Sequence, residues 1–568
     1  MRACPTTPVS PRMRRVVALV ALVAALGLWL PHAPVEAARE KTARRTKERS
    51  RVTALLADPA AAGFFLQPVT VTLPRARQGI NPVPKSSHVV ARRPGLDVIN
   101  VLLVRRGPNG RYTVTLREQT RAPEAERRRD ARRPGGHLWT LSDSAGETLE
   151  ARRGGGADLS RKLMLGLVEE LNPAELAEVD VKHLSDDGLG RLFRRLFRPV
   201  ARQQGMAFSP DRNAGVANLV VLLEKQGVTP RVKPDQLAPS GEVAENGARV
   251  FRDLPLDEAI GYARSGLLTD GRTALALLIA AHRLKVPLPR SLGGTPSFVK
   301  RHRWAHALDP DRRRAVGDSA FSEVQLAAGK ELERSEWRGD DLAIIARRLT
   351  MGTRDGTRQT SDPAPHQVAE APDQVSELPV VRAPDGRLYV ALVPTYSSGV
   401  AARKERWLAA KTARPDGPAT ATVQLRGIVR NVAGYRAAWL ELPGFGGGGE
   451  RGNLGSVPVY GAAIADAHAA FTGMGLIPTS GTWNAGSYNA SGGENSFHMN
   501  LMVREYRLAA GTTVEGLAAR KAIRLMPLDQ AIAYALKNPR KVDQMTQLQL
   551  FSLALKEQDG RIFQFADR

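Results

Sequence analysis

Apolar and polar residues alternate along Tyr112–Leu116 and again along Leu388–Leu392. Each run is fed by a tight turn, Pro108-Asn109-Gly110 in one case and Pro384-Asp385-Gly386 in the other, and each follows another apolar stretch. Alternation with a period of two marks a half-buried strand, and an Asn/Asp-Gly turn between two such runs is a strong short-range hairpin signal. The pattern predicts two β-hairpins at an offset of 276 residues. A second pair of segments, Ser209–Val221 and Ser491–Val503, aligns at an offset of 282 and matches Ser209/Ser491, Asn218/Asn500, Leu219/Leu501 and Val221/Val503. A third pair is the best match. Leu254-Pro255-Leu256-Asp257-Glu258-Ala259-Ile260-Gly261-Tyr262-Ala263 returns as Met526-Pro527-Leu528-Asp529-Gln530-Ala531-Ile532-Ala533-Tyr534-Ala535, at an offset of 272. Proline followed by an acid suits the first turn of a helix. Each copy precedes another helical stretch, Thr273–Arg283 and Thr546–Leu555. Three matches in one order at nearly equal offsets predict a duplicated domain.

Composition sets the boundaries between these units. The chain of 568 residues is several times a typical domain, and its 42% hydrophobic content suffices for packed cores. A basic leader spans 38–89, its first part helix-prone, and the first unit covers 90–290. Residues 291–350, rich in Arg and Trp, read as a helical bridge. Residues 351–378, rich in Gly, Thr, Pro and Gln, read as a flexible linker, and 379–568 form the second unit. Within the first unit, Gly188–Arg198 is a basic amphipathic helix ended by Pro199, with Leu192, Phe193, Leu196 and Phe197 on one apolar stripe. Core packing and a membrane-surface role are both open to that stripe.

The first 37 residues read as an address. Arg12, Arg14 and Arg15 precede an apolar run from Val16 to Leu30, and Val35 and Ala37 stand where a signal peptidase would cut. A cleaved Sec-type signal peptide implies an exported protein, periplasmic or secreted. Fifteen apolar residues are short for an anchor. No later segment approaches 18 uninterrupted apolar residues, so no transmembrane segment is expected after cleavage. The formal charge of +25 falls to +22 on cleavage, which favours anionic surroundings such as an envelope polymer. With 5% aromatic residues, no specific nucleic-acid platform is expected. The single cysteine, Cys4, excludes a disulfide framework, a thiolate zinc cluster and a CxxC redox pair.

The repeated unit resembles the Nudix hydrolases of the ADP-ribose pyrophosphatase type. Leu116-Arg117-Glu118-Gln119-Thr120-Arg121 looks like that family's "REQyR" strand. Gly154-Gly155-Gly156 and the stretch Leu163–Leu171 stand where the Nudix box would, with Glu169-Glu170 on its paired glutamates. In the second unit, Trp439-Leu440-Glu441-Leu442-Pro443-Gly444 looks like the "ELPaG" segment leading to the box. Ala462–Gly475 is similar to the box helix, and Tyr488-Asn489-Ala490-Ser491-Gly492-Gly493-Glu494 to the later "SPG…E" loop. The Pro-Leu-Asp helices, with Asp270 or Asp543 after them, look like the family's C-terminal helix. The resemblance implies two tandem α/β/α sandwich domains of α+β type with mixed sheets. It also implies a nucleoside diphosphate derivative such as ADP-ribose as ligand, and Mg²⁺ as cofactor if the protein is catalytic. By the same resemblance Glu118, Arg121, Glu441 and Gly444 are ligand-binding, Glu169 and Glu170 metal-binding, and Glu170 and Glu494 catalytic.

Nudix chemistry needs carboxylates converging on Mg²⁺ to neutralise phosphate oxygens and activate water. Glutamates at i, i+3 and i+4 share one helix face. Here position i is Gly166, the arginine before it is Leu165, and the earlier acid is Ala157. The second unit offers Asp466 and His468, with Ala469, Ala470 and Phe471 where acids should be. The expectation is therefore a pair of eroded boxes, serving ligand binding or an envelope interaction with weak or no turnover. Two alternatives stand beside it. One is a working Mg²⁺-dependent hydrolase whose missing acids come from Glu118, Glu147 or Glu150; the other is electrostatic attachment to an anionic envelope polymer. His498 reads as a packed or surface histidine. Gly446–Gly449 reads as a mobile loop whose N–H groups could approach a pyrophosphate. No GxSxG, HExxH or P-loop pattern occurs.

Overall fold

Both predicted hairpins form in the computed structural model. Gly110 and Gly386 close the turns at φ +75° and +81°, in the left-handed region that favours glycine. The described residues are 51–55, 66–73, 76–78, 81–83, 86–92, 97–119, 140–142, 145–149, 185, 188, 191–192, 195–200, 205–208, 217–225, 250–265, 268–286, 321–327, 337–338, 342–353, 359–361, 366–371, 374–384, 386–395, 450–452, 456–458, 471–489, 496–519, 524–537 and 542–558. The chain divides into two compact units, Met1–Glu48 and Arg49–Arg568. The first, which includes the expected signal peptide, lies outside the described residues, and all the described elements belong to the second.

The described part of the leader consists mainly of strands. β1 (Arg51–Ala54), β2 (Gln67–Leu73) and β5 (Ser86–Arg92) form a three-stranded antiparallel sheet, and β3 (Ala76–Gln78) pairs with β4 (Asn81–Val83). The basic charge suggested a helix over 38–60, but Arg51–Ala54 is a strand paired with β2, whose Val69 and Val71 are fully buried. Side-chain burial of β-branched residues outweighs composition.

The first mixed sheet is built around β6 (Asp97–Arg106) and β7 (Tyr112–Gln119). β8 (Thr140–Ser142) pairs with β7 and β9 (Ala145–Leu149) with β6. β10 (Phe197–Pro199) and β11 (Gly205–Phe208) both pair with β12 (Ala217–Lys225), which runs parallel to β6, and β13 (Val250–Pro255) closes on β7. Residues 188, 191–192 and 195–196 are helical, but Phe197–Pro199 has already become strand. Leu196 and Phe197 are buried, so these two residues of the predicted stripe are core. α1 (Leu256–Ser265) and α2 (Gly271–Leu284) follow β13.

The expected helical bridge and linker also contain strands. β14 (Phe321–Ala327), β15 (Trp337–Arg338), β17 (Gln359–Ser361) and β18 (His366–Glu370) all pair antiparallel with the long β16 (Ala343–Thr353). Leu342, Ile344, Ala369 and Ala371 share a small core with Leu66, Ala91 and Phe497. The short apolar runs of β16 and β18 carry this information, whereas the Gly, Pro and Gln content of the same stretch conceals it.

The second mixed sheet repeats the first. β19 (Gln374–Arg382) and β20 (Leu388–Thr395) form the hairpin, extended by β21 (Glu450–Gly452) on β20 and β22 (Ser456–Pro458) on β19. β23 (Leu476–Tyr488) pairs with β24 (Met499–Leu508), β24 runs parallel to β19, and β25 (Arg524–Pro527) closes on β20. α3 (Val514–Ala519) lies between β24 and β25, and α4 (Leu528–Lys537) and α5 (Gln544–Gln558) follow. The order β11-β12-β6-β7-β13 thus matches β23-β24-β19-β20-β25, with one parallel pair in the same place.

Strand faces correct one sequence alignment. Asn100 pairs with Val220 and Ser376 with Leu501, so β12 and β24 correspond at an offset of 281, one residue from the sequence match. Val220 and Leu222 then coincide with Leu501 and Val503, all buried in the common core. A slip of one residue would reverse the faces.

The inner faces of both sheets and the helices α1, α2, α4 and α5 form one continuous core. Residues Gly271–Ala281 of α2 are all buried, and each Leu or Ile among them stabilises by about 1.5–3 kcal/mol. Asp270 caps α2 by accepting from the N–H groups of Arg272 (2.9 Å) and Thr273 (3.4 Å); Asp543 caps α5 through Thr546 N–H (2.9 Å). Such caps contribute about 1 kcal/mol each. The halves also exchange backbone hydrogen bonds. Asn489 N–H donates to Thr269 O (2.7 Å) and Gly271 N–H donates to Asn489 O (2.8 Å). No helix of the described residues is long and apolar enough to cross a membrane.

Candidate functional site

Most residues singled out from sequence lie outside the described residues: Arg121, Glu169, Glu170, Glu441, Gly444 and Glu494, together with Glu150, Asp466, His468 and Gly446–Gly449. Glu118 lies in β7, opposite Val250 and Leu141, and Glu147 in β9 opposite Ile99; their side chains are not described. His498 is described. It is 2% exposed, its Nδ1 stands 3.4 Å from Ser487 Oγ, and the adjoining Phe497 is fully buried, which fits a packed histidine.

The outer face of the second sheet carries a polar cluster. Alternation along β19 and β24 sends Leu378, Val380, Leu501 and Val503 to the common core. Glu377, Arg504 and Tyr506 therefore project to the opposite face. Glu377 is 2% exposed. Its Oε2 accepts from Arg504 Nε at 2.8 Å, and its Oε1 accepts from the Tyr506 hydroxyl at 2.9 Å. Burying a carboxylate is costly unless its oxygens are hydrogen-bonded, and here both are. Burial, and then the Glu377 carboxylate beside it, push the Tyr506 phenol well above its ordinary range, so Tyr506 remains a donor.

Apolar side chains wall this cluster. Phe471, at the end of a helical turn (471–473), is fully buried, and its ring centroid lies 5.3 Å from that of Tyr506. Val381, Ala391, Leu476, Leu517 and Leu525 complete the patch. On the other face of the sheet, at its hairpin end, Glu505 pairs with Arg382 at 3.4 Å; burial raises the Glu505 carboxyl and the Arg382 charge opposes that rise.

The arrangement is better suited to holding an anion than a cation. Glu377 spends both oxygens on donors, and Phe471 offers no oxygen to a hard metal. In the second half, then, the described residues do not fit Mg²⁺. Among the described residues no group of three or more His, Cys, Asp or Glu is placed to hold a metal. Sequence reading missed Glu377 because it falls at the end of the supposed linker. Its signal was present: an acid inside the alternating run Gln374–Arg382, and Arg504-x-Tyr506 at strand spacing.

No family model matches the chain, and no curated protein matches it. A solved structure described as an ADP compounds hydrolase is weakly similar, with 11% sequence identity and a TM-score of 0.22, covering 42% of this chain and 94% of its own. A likeness at that level identifies neither ligand nor activity.

Proposed function

We propose that the chain is an exported protein of two Nudix-like halves that binds a nucleoside diphosphate derivative with weak or no turnover. The supporting observation is the outer face of the second sheet. Phe471, at a position where the resemblance requires an acid, packs against Tyr506 in an apolar patch instead of turning an oxygen toward a cation. The repeated strand order and the two Asp-capped helices, Asp270 on α2 and Asp543 on α5, support descent of both halves from one module. In the first half, Glu169 and Glu170 would hold Mg²⁺ if any residues do, with Gly166 leaving the third corner empty. Losing one carboxylate of such a triangle lowers cation affinity and rate.

The test is release of AMP from ADP-ribose by the mature protein with Mg²⁺ or Mn²⁺. Little or no release above the protein-free control is expected. Sustained release that disappears in Glu170→Gln would overturn the reading in favour of a working hydrolase in the first half.

A further inference from the structure

We infer that Arg504 is a preorganised receptor for a phosphate oxyanion, so that the second half takes its ligand's anionic group directly, without a divalent cation. The inference rests on the ligand class proposed above and specifies how one half would grip it.

Three observations carry it. Arg504 is held from behind: its Nε donates to the buried Glu377, and Tyr506 fixes the other carboxylate oxygen. A guanidinium has five donors in a rigid fork. With Nε engaged, the Nη1 and Nη2 groups have no hydrogen bond or ion pair among the described residues, and the side chain is 21% exposed. One edge of the guanidinium is thus fixed while the side chain stays partly exposed, and the two remaining nitrogens form the fork that recognises phosphate in a bidentate manner.

The second observation is that the fold does not require the pair. By strand register, Glu377 corresponds to Val101 of the first half and Arg504 to Leu223. Val101 and Leu223 are fully buried. The same sheet is thus built with aliphatic residues at both places, and a buried ion pair contributes little stability over such a replacement. The third is the wall beside it, where Phe471 excludes water from one side of the cluster and supplies no competing ligand. Glu377 offsets much of the Arg504 charge, so recognition comes from oriented N–H groups more than from net charge.

The experiment is calorimetric titration of the full chain with inorganic pyrophosphate in EDTA at about 0.15 M salt, where loosely held anions are screened. Saturable binding is expected, changed less than threefold by replacing EDTA with Mg²⁺. It should weaken at least tenfold in Arg504→Gln and less in Arg504→Lys. Because Arg504→Gln removes the cation beside the buried Glu377, the double variant Glu377→Gln/Arg504→Gln is measured as well, with folding checked by circular dichroism; it too should lose binding. No binding in EDTA, or full binding by the folded double variant, overturns the inference. A parallel titration with ADP-ribose separates it from the broader reading. If ADP-ribose binds only with Mg²⁺, or regardless of Arg504, the inference fails and the ligand class stands. If pyrophosphate binds through Arg504 and ADP-ribose does not bind, the inference stands and the nucleoside ligand fails.

Discussion

Glu377 and Arg504 occupy positions where the first half has Val101 and Leu223, and that substitution pattern can be imposed on the second half. Glu377→Ala alone strands Arg504 beside an apolar patch and should cost about 3 kcal/mol, read by urea denaturation. The double replacement Glu377→Val/Arg504→Leu should be neutral or stabilising by about 1–4 kcal/mol in the same measurement. Asn100 offers a related test. It is fully buried with neither amide atom hydrogen-bonded among the described residues, whereas its counterpart is Ser376. In the second half the polar group stands on the helix: Gln549, the counterpart of Ala276, donates Nε2 to Ser376 O (2.9 Å) and Met502 O (2.7 Å). Asn100→Leu should therefore raise stability by about 1–2 kcal/mol, while Gln549→Leu should lower it by about as much. His282, edge-on to Phe551 at 5.5 Å, has its pKa lowered by burial and then by the Arg283 charge. Its neutral form is favoured in the folded state. Stability is then unaffected above the ordinary histidine value of 6.5 and lost as pH falls from there toward the depressed folded value. His282→Leu, which copies Leu555 of the second half, should flatten that acid-side decline in denaturation curves recorded between about pH 7 and pH 5.

At the scale of elements, α2 and α5 join the halves, and Gly271 is the point of closest approach. A Cβ there would lie 2.9 Å from Asn489 O, 3.0 Å from Gln544 Nε2 and 3.3 Å from Tyr488 Cβ. Gly271→Val should displace the Asn489 strand end, and faster hydrogen exchange at the Asn489 and Gly271 amides would record it. The hairpins, the Pro-Leu-Asp helices and the final helices were legible because each is local: a turn glycine, a period of two, a proline followed by an acid. The strands of the leader and bridge were less so. Their Val and Ile residues are interrupted by Arg, Thr and Gln, and the small core they share joins residues far apart in the chain, as when Leu66 N–H donates to Gln367 Oε1. α5 was legible as a helix, but its burial was not: Gln544, Gln547 and Gln549 are polar yet buried, and Gln547 and Gln549 are satisfied by carbonyls that only the fold supplies. The outer-face cluster was hidden for the same reason: Glu377 meets Arg504 across 127 residues.

At the scale of the molecule, two sheets of one topology share a single core, so the halves are expected to unfold together. One transition common to far-ultraviolet circular dichroism and tryptophan fluorescence should result, and Gly271→Val should shift both probes equally. The shared core also gives a physical reason why the second half can carry an apolar outer face: Phe471 and its neighbours fill that face while the inner face is held by the other half. The measurement that tests the central claim most directly is equilibrium binding of labelled ADP-ribose to the mature protein, followed by chromatography of the nucleotide recovered from the complex. Binding with weak or no turnover predicts predominantly intact ADP-ribose in the bound fraction after a short incubation with Mg²⁺. Recovery as AMP and ribose 5-phosphate, or no bound nucleotide at all, would contradict the account.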